Sequence, residues 1–246
     1  MSRQFGGVSA VDRVSFTLRG TPMAGLIGPN GAGKTTLFNL IAGALRPSAG
    51  RIHLAGRRID GLPPHRVYAA GLARTFQIPR PFAAMSVLEN AMLAPTGQQG
   101  ERFWCNWFDR GAIARQERAI RERALGWLAF LGLDRLADEP ARLLSGGQRK
   151  LLELARVLMG EPRLVLLDEP GAGVNPALLA TIVERLAELN RRGIAFLIIE
   201  HNMDLVMSLC RPILVMAEGR LLLEGDAPSI RSDRRVIEAY LGGAAR

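Results

Sequence analysis

The sequence predicts an α/β protein built on a parallel β-sheet, with a mostly helical segment inserted into it. Three observations carry this. Residues 164–167 (LVLL) and 194–199 (IAFLII) are apolar runs with no polar alternation, which suits central parallel strands covered on both faces. Residues 176–192 between them have helical patterning and stop at Gly193, giving a strand-helix-strand rhythm. Residues 80–155 lack such runs and read as mostly helical.

The elements follow in chain order. Residues 23–27 (MAGLI) form a buried-strand candidate, followed by a Gly-rich turn and a helix over about 34–42. Residues 51–56 (RIHLAG) read as one short exposed strand ending at glycine. Ser86 and Glu89 have the spacing of a capping box, so a helix should begin there. Residues 79–111 are irregular, with prolines, Gln98-Gln99-Gly100 and an aromatic cluster around Trp104, Trp107 and Phe108. A long helix is expected over 112–131, with Ile113, Ile120, Ala124, Trp127, Leu128 and Leu131 on its apolar face and Arg115, Arg118, Arg121 and Arg123 on a solvated one. A further helix should run from Gln148 to about Met159. There is no internal repeat.

Composition narrows the class. A chain of 246 residues makes one large domain or two modest ones. With 48% apolar and 22% charged residues, collagen-like and wholly disordered chains are excluded. Cys105 and Cys210 stand far apart with no CxxC pair, so neither a disulfide framework nor a structural zinc site is expected, and a reducing compartment fits. No apolar run approaches the ~18 residues of a membrane span, and residues 1–7 carry no apolar stretch of the kind a signal peptide needs. The net charge, 32 − 23 = +9, invites a nucleic-acid reading. Against it, Lys34 and Lys150 are the only lysines, and the arginines are scattered along the whole chain, as a general preference for arginine would leave them.

The chemistry lies in three motifs. Gly28-Pro29-Asn30-Gly31-Ala32-Gly33-Lys34-Thr35 fits GxxxxGK[ST] between an expected strand and an expected helix, the context of a phosphate-binding loop. Its glycines let backbone N–H groups turn toward phosphates, and the helix presents its positive end, with Thr36 in the first turn, to the same anion. Lys34 would neutralise the β- and γ-phosphates of ATP, and Thr35 would ligate Mg²⁺. The strand at 164–167 ends in Asp168 and Glu169, of which the first suits Mg²⁺ and the second a general base acting on water. Ser145-Gly146-Gly147-Gln148 has capping-box spacing and also two glycines that allow close approach to an anion.

With the preceding leucine, the last motif reads LSGGQ and lies 20 residues before Asp168; it resembles the signature of the ATP-binding-cassette (ABC) ATPases. Other elements of that family match in order. Gln77 matches the Q-loop glutamine that in the family contacts Mg²⁺ or water. Residues 173–176 (GVNP) resemble the D-loop, and His201, 32 residues beyond Glu169, matches the switch histidine. Phe5 resembles the aromatic that stacks on adenine; packing is its other reading. His53 and His65 have no such support and are expected at the surface. The resemblance implies a P-loop nucleotide-binding core with a parallel sheet, a small antiparallel β-subdomain and an inserted α-helical subdomain. On this chain the core would be 1–79 and 156–246, and the helical part, with the signature, 80–155. Glu169, His201 and Gln77 would be catalytic, and Thr35, Gln77 and Asp168 would hold Mg²⁺.

Residues 71–77 (GLARTFQ), 85–90 (MSVLEN), 200–203 (EHNM) and 237–242 (IEAYLG) further resemble ATPases of branched-chain amino-acid importers, whose relatives serve urea and short amides. That subgroup implies a second ATPase subunit, identical or not, transmembrane permease subunits, an extracytoplasmic binding protein, and a peripheral place on the cytoplasmic face of the cell membrane. A lipopolysaccharide-export ATPase and a soluble ABC ATPase acting on nucleic acid or ribosomes are the alternatives, the single cassette opposing the last. Three departures stand out: Asn202 where the subgroup has Asp, Gly171-Ala172-Gly173-Val174 where it has Ala-Ala-Gly-Leu, and a start almost at Phe5, where the family has about one more strand. An unpaired strand edge is therefore expected at the N-terminus.

Overall fold

A computed structural model describes residues 1–75, 80–95 and 110–242. The chain opens with β1 (Arg3–Phe5) and β2 (Val8–Val11), then β3 (Met23–Ile27) and α1 (Lys34–Ile41). Next come β4 (His53–Leu54), β5 (Arg57–Arg58), α2 (Pro64–Ala69) and β6 (Leu72–Arg74). The helical stretch holds α3 (Val87–Met92), α4 (Arg110–Phe130) and α5 (Gly146–Leu158). It gives way to β7 (Leu164–Asp168), α6 (Pro176–Arg191) and β8 (Ala195–Ile199). The chain closes with α7 (Met203–Leu209), β9 (Ile213–Ala217), β10 (Arg220–Gly225), α8 (Ala227–Ser232) and α9 (Arg234–Gly242).

The unalternated apolar runs lie inside a six-stranded sheet of order β10-β9-β3-β8-β7-β6. All neighbours are parallel except β9 and β10. β3 is buried at every residue because it has strands on both sides and covering layers on both faces. Leu37, Phe38 and Leu40 of α1 pack into one apolar cluster with Leu26, Leu166, Leu197, Leu214 and Met216 of the sheet. Each such side chain contributes on the order of 1.5–3 kcal/mol by leaving water.

Two elements differ from expectation. The single strand over 51–56 is instead the hairpin β4–β5, turned by Ala55 and Gly56 at φ of 48° and 79°. A two-residue turn with both residues at positive φ matches the twist of its strands. The N-terminus is also paired and not left open. β1 pairs antiparallel with β2, and Ser2 donates to the Ala49 carbonyl at 2.8 Å. Residues 15–18 carry no strand pairing and line a cavity of about 330 Å³ with Ile41, Ile52 and Leu54.

The chain divides into two compact units. The first holds residues 1–74, 163–172 and 186–246, with the sheet; the second holds 75–162 and 173–185. These limits differ from the sequence division at 79 and 156. Helix α5, which runs to Leu158, packs on α3 and α4, and residues 156–162 fall in the unit with the helices. Residues 173–185 join them because a Cβ on Gly147 would meet Leu178 at 2.1 Å, so close is that approach.

In the second unit the Ser86 hydroxyl accepts from Glu89 N while the Glu89 carboxylate accepts from Ser86 N, the expected capping box. Asn90 is fully buried and its amide pairs with the backbone of Phe82 and Ser86, pinning the approach to α3. Along α4, Ile120, Ala124 and Leu128 are buried. Arg115, Arg118 and Arg121 are exposed as expected, but Arg123 is half-buried and paired with Glu161. The Trp104, Trp107 and Phe108 cluster lies outside the described residues.

Candidate functional site

In the first unit, β3, β7 and β8 are neighbours, and all three end on one side of the sheet, in register at Leu26, Asp168 and Ile199. Ligands of open α/β sheets gather beyond the carboxyl ends of such strands. The loop 28–33 leaves β3 there. A Cβ on Gly28 would lie 2.0 Å from the Met216 carbonyl oxygen, and one on Gly33 2.3 Å from that of Ala10. Only glycine lets the backbone pass so close. Gly33 also caps α1 at φ 94° with no side-chain hydrogen bond. The first-turn N–H groups of Lys34, Thr35 and Thr36 are therefore left without a side-chain cap, as an anion at a helix N-terminus requires. Ala32 and Lys34 are buried, Pro29 and Thr36 half-buried, and Asn30, Gly31 and Thr35 exposed.

Lys34 folds back over its own loop, Nζ donating to Gly28 O at 2.6 Å and to Pro29 O at 2.9 Å. Burial lowers its pKa from the ordinary lysine value, and the charges of Glu169 and Asp168 oppose that shift. Asp168, at the end of β7, is buried, and its Oδ2 lies 3.1 Å from the Arg74 guanidinium. Glu169 follows at φ 50°, a conformation unfavourable for a non-glycine residue. The bond from Glu169 N to Ile199 O at 2.9 Å holds it there. Backbone strain of this kind concentrates where a side chain must be aimed. Glu169 Oε1 lies 3.0 Å from His201 Nε2, so the two residues expected to be catalytic meet.

The loop between β8 and α7 is built by Glu200. This carboxylate is buried and accepts from the N–H groups of Gly171 at 2.6 Å and His201 at 3.1 Å. Asn202 caps α7 by accepting from Leu205 N at 3.1 Å. Asn and Asp cap equally well, so the departure at this position leaves the cap intact. Phe5 is 44% exposed, and the Arg3 guanidinium lies 4.7 Å from its ring centre. His53 and His65 are exposed.

In the second unit, Ser145 accepts from Gln148 N at 3.2 Å and Gln148 accepts from Ser145 N at 2.9 Å. The capping reading of this motif is thus realised, with Ser145 and Gly146 exposed at the start of α5. Gly147 is buried against Leu178. Asn175 caps α6 through Leu178 N at 2.8 Å. Gln77 lies outside the described residues.

The profile of the ABC transporter family matches residues 11–172, and that of the branched-chain amino acid ATP-binding cassette transporters matches 220–246. The chain belongs to the ABC transporter ATPases. It is 43% identical to a probable branched-chain amino acid transport ATP-binding protein, LivG, of Archaeoglobus fulgidus, over 98% of this chain and 93% of the relative. The high-affinity branched-chain amino acid transport ATP-binding protein BraF of Pseudomonas aeruginosa is 39% identical, over 99% and 96%. A solved ABC transporter cassette in its ADP conformation superposes with a TM-score of 0.83 at 38% identity, covering 98% of this chain and 96% of that one. As an ABC ATPase the chain binds and hydrolyses ATP. Among the described residues no helix is long and apolar enough to cross a membrane.

Three residues that hold Asp168 or the His201 loop of this ABC ATPase were not legible as site residues. Arg74, Asn39 and Glu200 have partners up to 94 positions away, and only the fold brings each to its partner.

Proposed function

We propose that this ABC ATPase powers import of branched-chain amino acids, as one of two ATPase subunits docked on membrane-crossing permeases at the cytoplasmic face, with an extracytoplasmic binding protein supplying the cargo. The observation that carries the cargo class is the match of residues 220–246 to the branched-chain amino acid cassette profile, beside relatives of that name over nearly the full chain. Nothing in the hydrolytic residues distinguishes one cargo from another.

In this reading the loop 28–33 and the N–H groups at the start of α1 cradle the phosphates, and Lys34 leaves its carbonyl partners to meet them. Phe5 stacks on adenine. Asp168, Thr35 and Gln77 would hold Mg²⁺. Among the described residues no three His, Cys, Asp or Glu side chains converge on one point. Such a sparse donor set suits Mg²⁺, which is commonly held by one or two carboxylates together with substrate phosphates and water. When bound, Mg²⁺ would supply charge neutralisation at the β- and γ-phosphates. Glu169 orients and polarises the attacking water, and His201 holds the Glu169 carboxylate and faces the γ-phosphate. Residues 145–148 of each subunit close over the nucleotide of the other, so two subunits complete two sites.

Deleting the gene and measuring uptake of labelled leucine and labelled urea tests the cargo. Loss of leucine uptake alone is expected. Loss of urea uptake alone transfers the assignment to the amide branch, and unchanged uptake of both overturns the importer assignment.

A further inference from the structure

Arg74 has an arrangement that ATP chemistry does not by itself call for. It ends β6, the edge strand beside β7, and its Cα is in register with Leu166, two residues before Asp168. Its side chain is only 14% exposed, and the carboxylate it meets is 6% exposed. One guanidinium nitrogen donates to Asn39 Oδ1 on α1, another lies 3.1 Å from Asp168 Oδ2, and the group sits over the Phe38 ring, 5.8 Å from its centre. The cation is thus fixed from three directions, by the helix that follows the phosphate loop, by an aromatic face and by the acid at the end of β7. A buried carboxylate without compensation is costly, so some cation must accompany Asp168 when the site is empty of metal. Arg74 meets the carboxylate through Oδ2, and its positive charge repels a second cation brought to the same group.

We propose that Arg74 is a positioning residue, a resident counter-ion of Asp168 that holds the carboxylate through Oδ2 and raises the divalent-metal concentration at which the site fills. This rests on the reading of Asp168 as the Mg²⁺-binding acid. The local charge balance then works as an exchange: Arg74, with Lys34 nearby, compensates Asp168 while the site is empty, and shares that role once metal and nucleotide arrive. Removing the charge should destabilise the empty protein and tighten its hold on the metal.

The test uses the full chain with ADP, titrated with Mn²⁺ while the free-ion signal is followed by electron paramagnetic resonance. Arg74→Gln should half-saturate at roughly tenfold lower Mn²⁺ than the parent, since one repelling charge has gone. Arg74→Lys keeps the charge and should stay within about twofold. The melting temperature of Arg74→Gln should be lower without metal and rise further on adding Mg²⁺ than that of the parent. Asp168→Asn separates the two readings. Weakened Mn²⁺ binding in Asp168→Asn with unchanged or weaker binding in Arg74→Gln overturns the role of Arg74 alone. Unchanged binding in Asp168→Asn removes Asp168 as the ligand and this inference with it. If Arg74→Gln does not fold, Arg74→Met carries the same neutral substitution and the same expectation.

Discussion

His201 Nε2 lies 3.0 Å from Glu169 Oε1, and the two residues follow neighbouring parallel strands that end at the same level. The pair therefore depends on the register of β7 with β8. Glu169→Gln should bind ATP as tightly as the parent and lower the hydrolysis rate about a hundred- to ten-thousandfold, the range expected for losing a positioned general base. Single-turnover hydrolysis of labelled ATP, with nucleotide affinity measured alongside, checks this. His201→Ala should also reduce the rate, because Glu169 loses the partner that aims it. Normal turnover in Glu169→Gln would move the base elsewhere.

Gly28 and Gly31 belong to one loop but should respond differently to alanine. A Cβ on Gly28 meets a backbone carbonyl oxygen at 2.0 Å, whereas one on Gly31 meets nothing within 4 Å. Gly31→Ala has only the left-handed backbone to accommodate, at φ 77°, a cost of about 1–2 kcal/mol. Gly28→Ala must also displace the strand carrying Met216, a further ~1–3 kcal/mol. Urea unfolding of the two variants should rank them in that order, and the reverse order would contradict this packing.

The two roles of Ser145 can be separated. Ser145→Ala removes the cap of α5 and should cost about 1 kcal/mol of stability. Ser145→Asp keeps a capping oxygen and should retain the parent's melting temperature. It also places a carboxylate where the partner's nucleotide must approach, so turnover should stop while each subunit still binds ATP. Undiminished turnover in Ser145→Asp would show that this side chain does not approach phosphate.

Acid stability carries one assignable contribution. The Arg58 guanidinium holds the Asp60 carboxyl at about 2, below its ordinary value of 3.8. A lowered carboxylate pKa stabilises the fold above the ordinary value, and that contribution fades as pH falls from about 4 toward 2. Arg58 is largely exposed, so solvent screening keeps the contribution small. Unfolding free energies at pH 5 and pH 3 should differ less in Asp60→Asn than in the parent.

The parts that were legible in the sequence share a physical property: their signal is local. The strand at 23–27, the loop after it and both Ser-capped helix starts are written in adjacent residues, and the structure realises each of them. What stayed hidden was short or non-local. β6 is three residues long, too short for periodicity to register. The hairpin over 53–58 read as one strand because two residues of strand on either side of a turn leave no pattern. The positive φ of Glu169 has no sequence mark, since glutamate usually avoids it. The contact of Arg74 with Asp168 spans 94 positions, and its arginine was indistinguishable among 30.

The interleaved strand order has a consequence for synthesis. β3 emerges early from the ribosome, yet its two neighbours in the sheet, β8 and β9, lie some 170 and 190 residues later in the chain. The strand that launches the phosphate loop thus has no sheet to join until nearly the whole polypeptide exists, while the contiguous stretch 75–162 can gather its helices first. A nascent chain halted before residue 195 would therefore expose the apolar β3 and hold no formed nucleotide loop, which makes that interval the vulnerable one for aggregation and the natural moment for a chaperone to act.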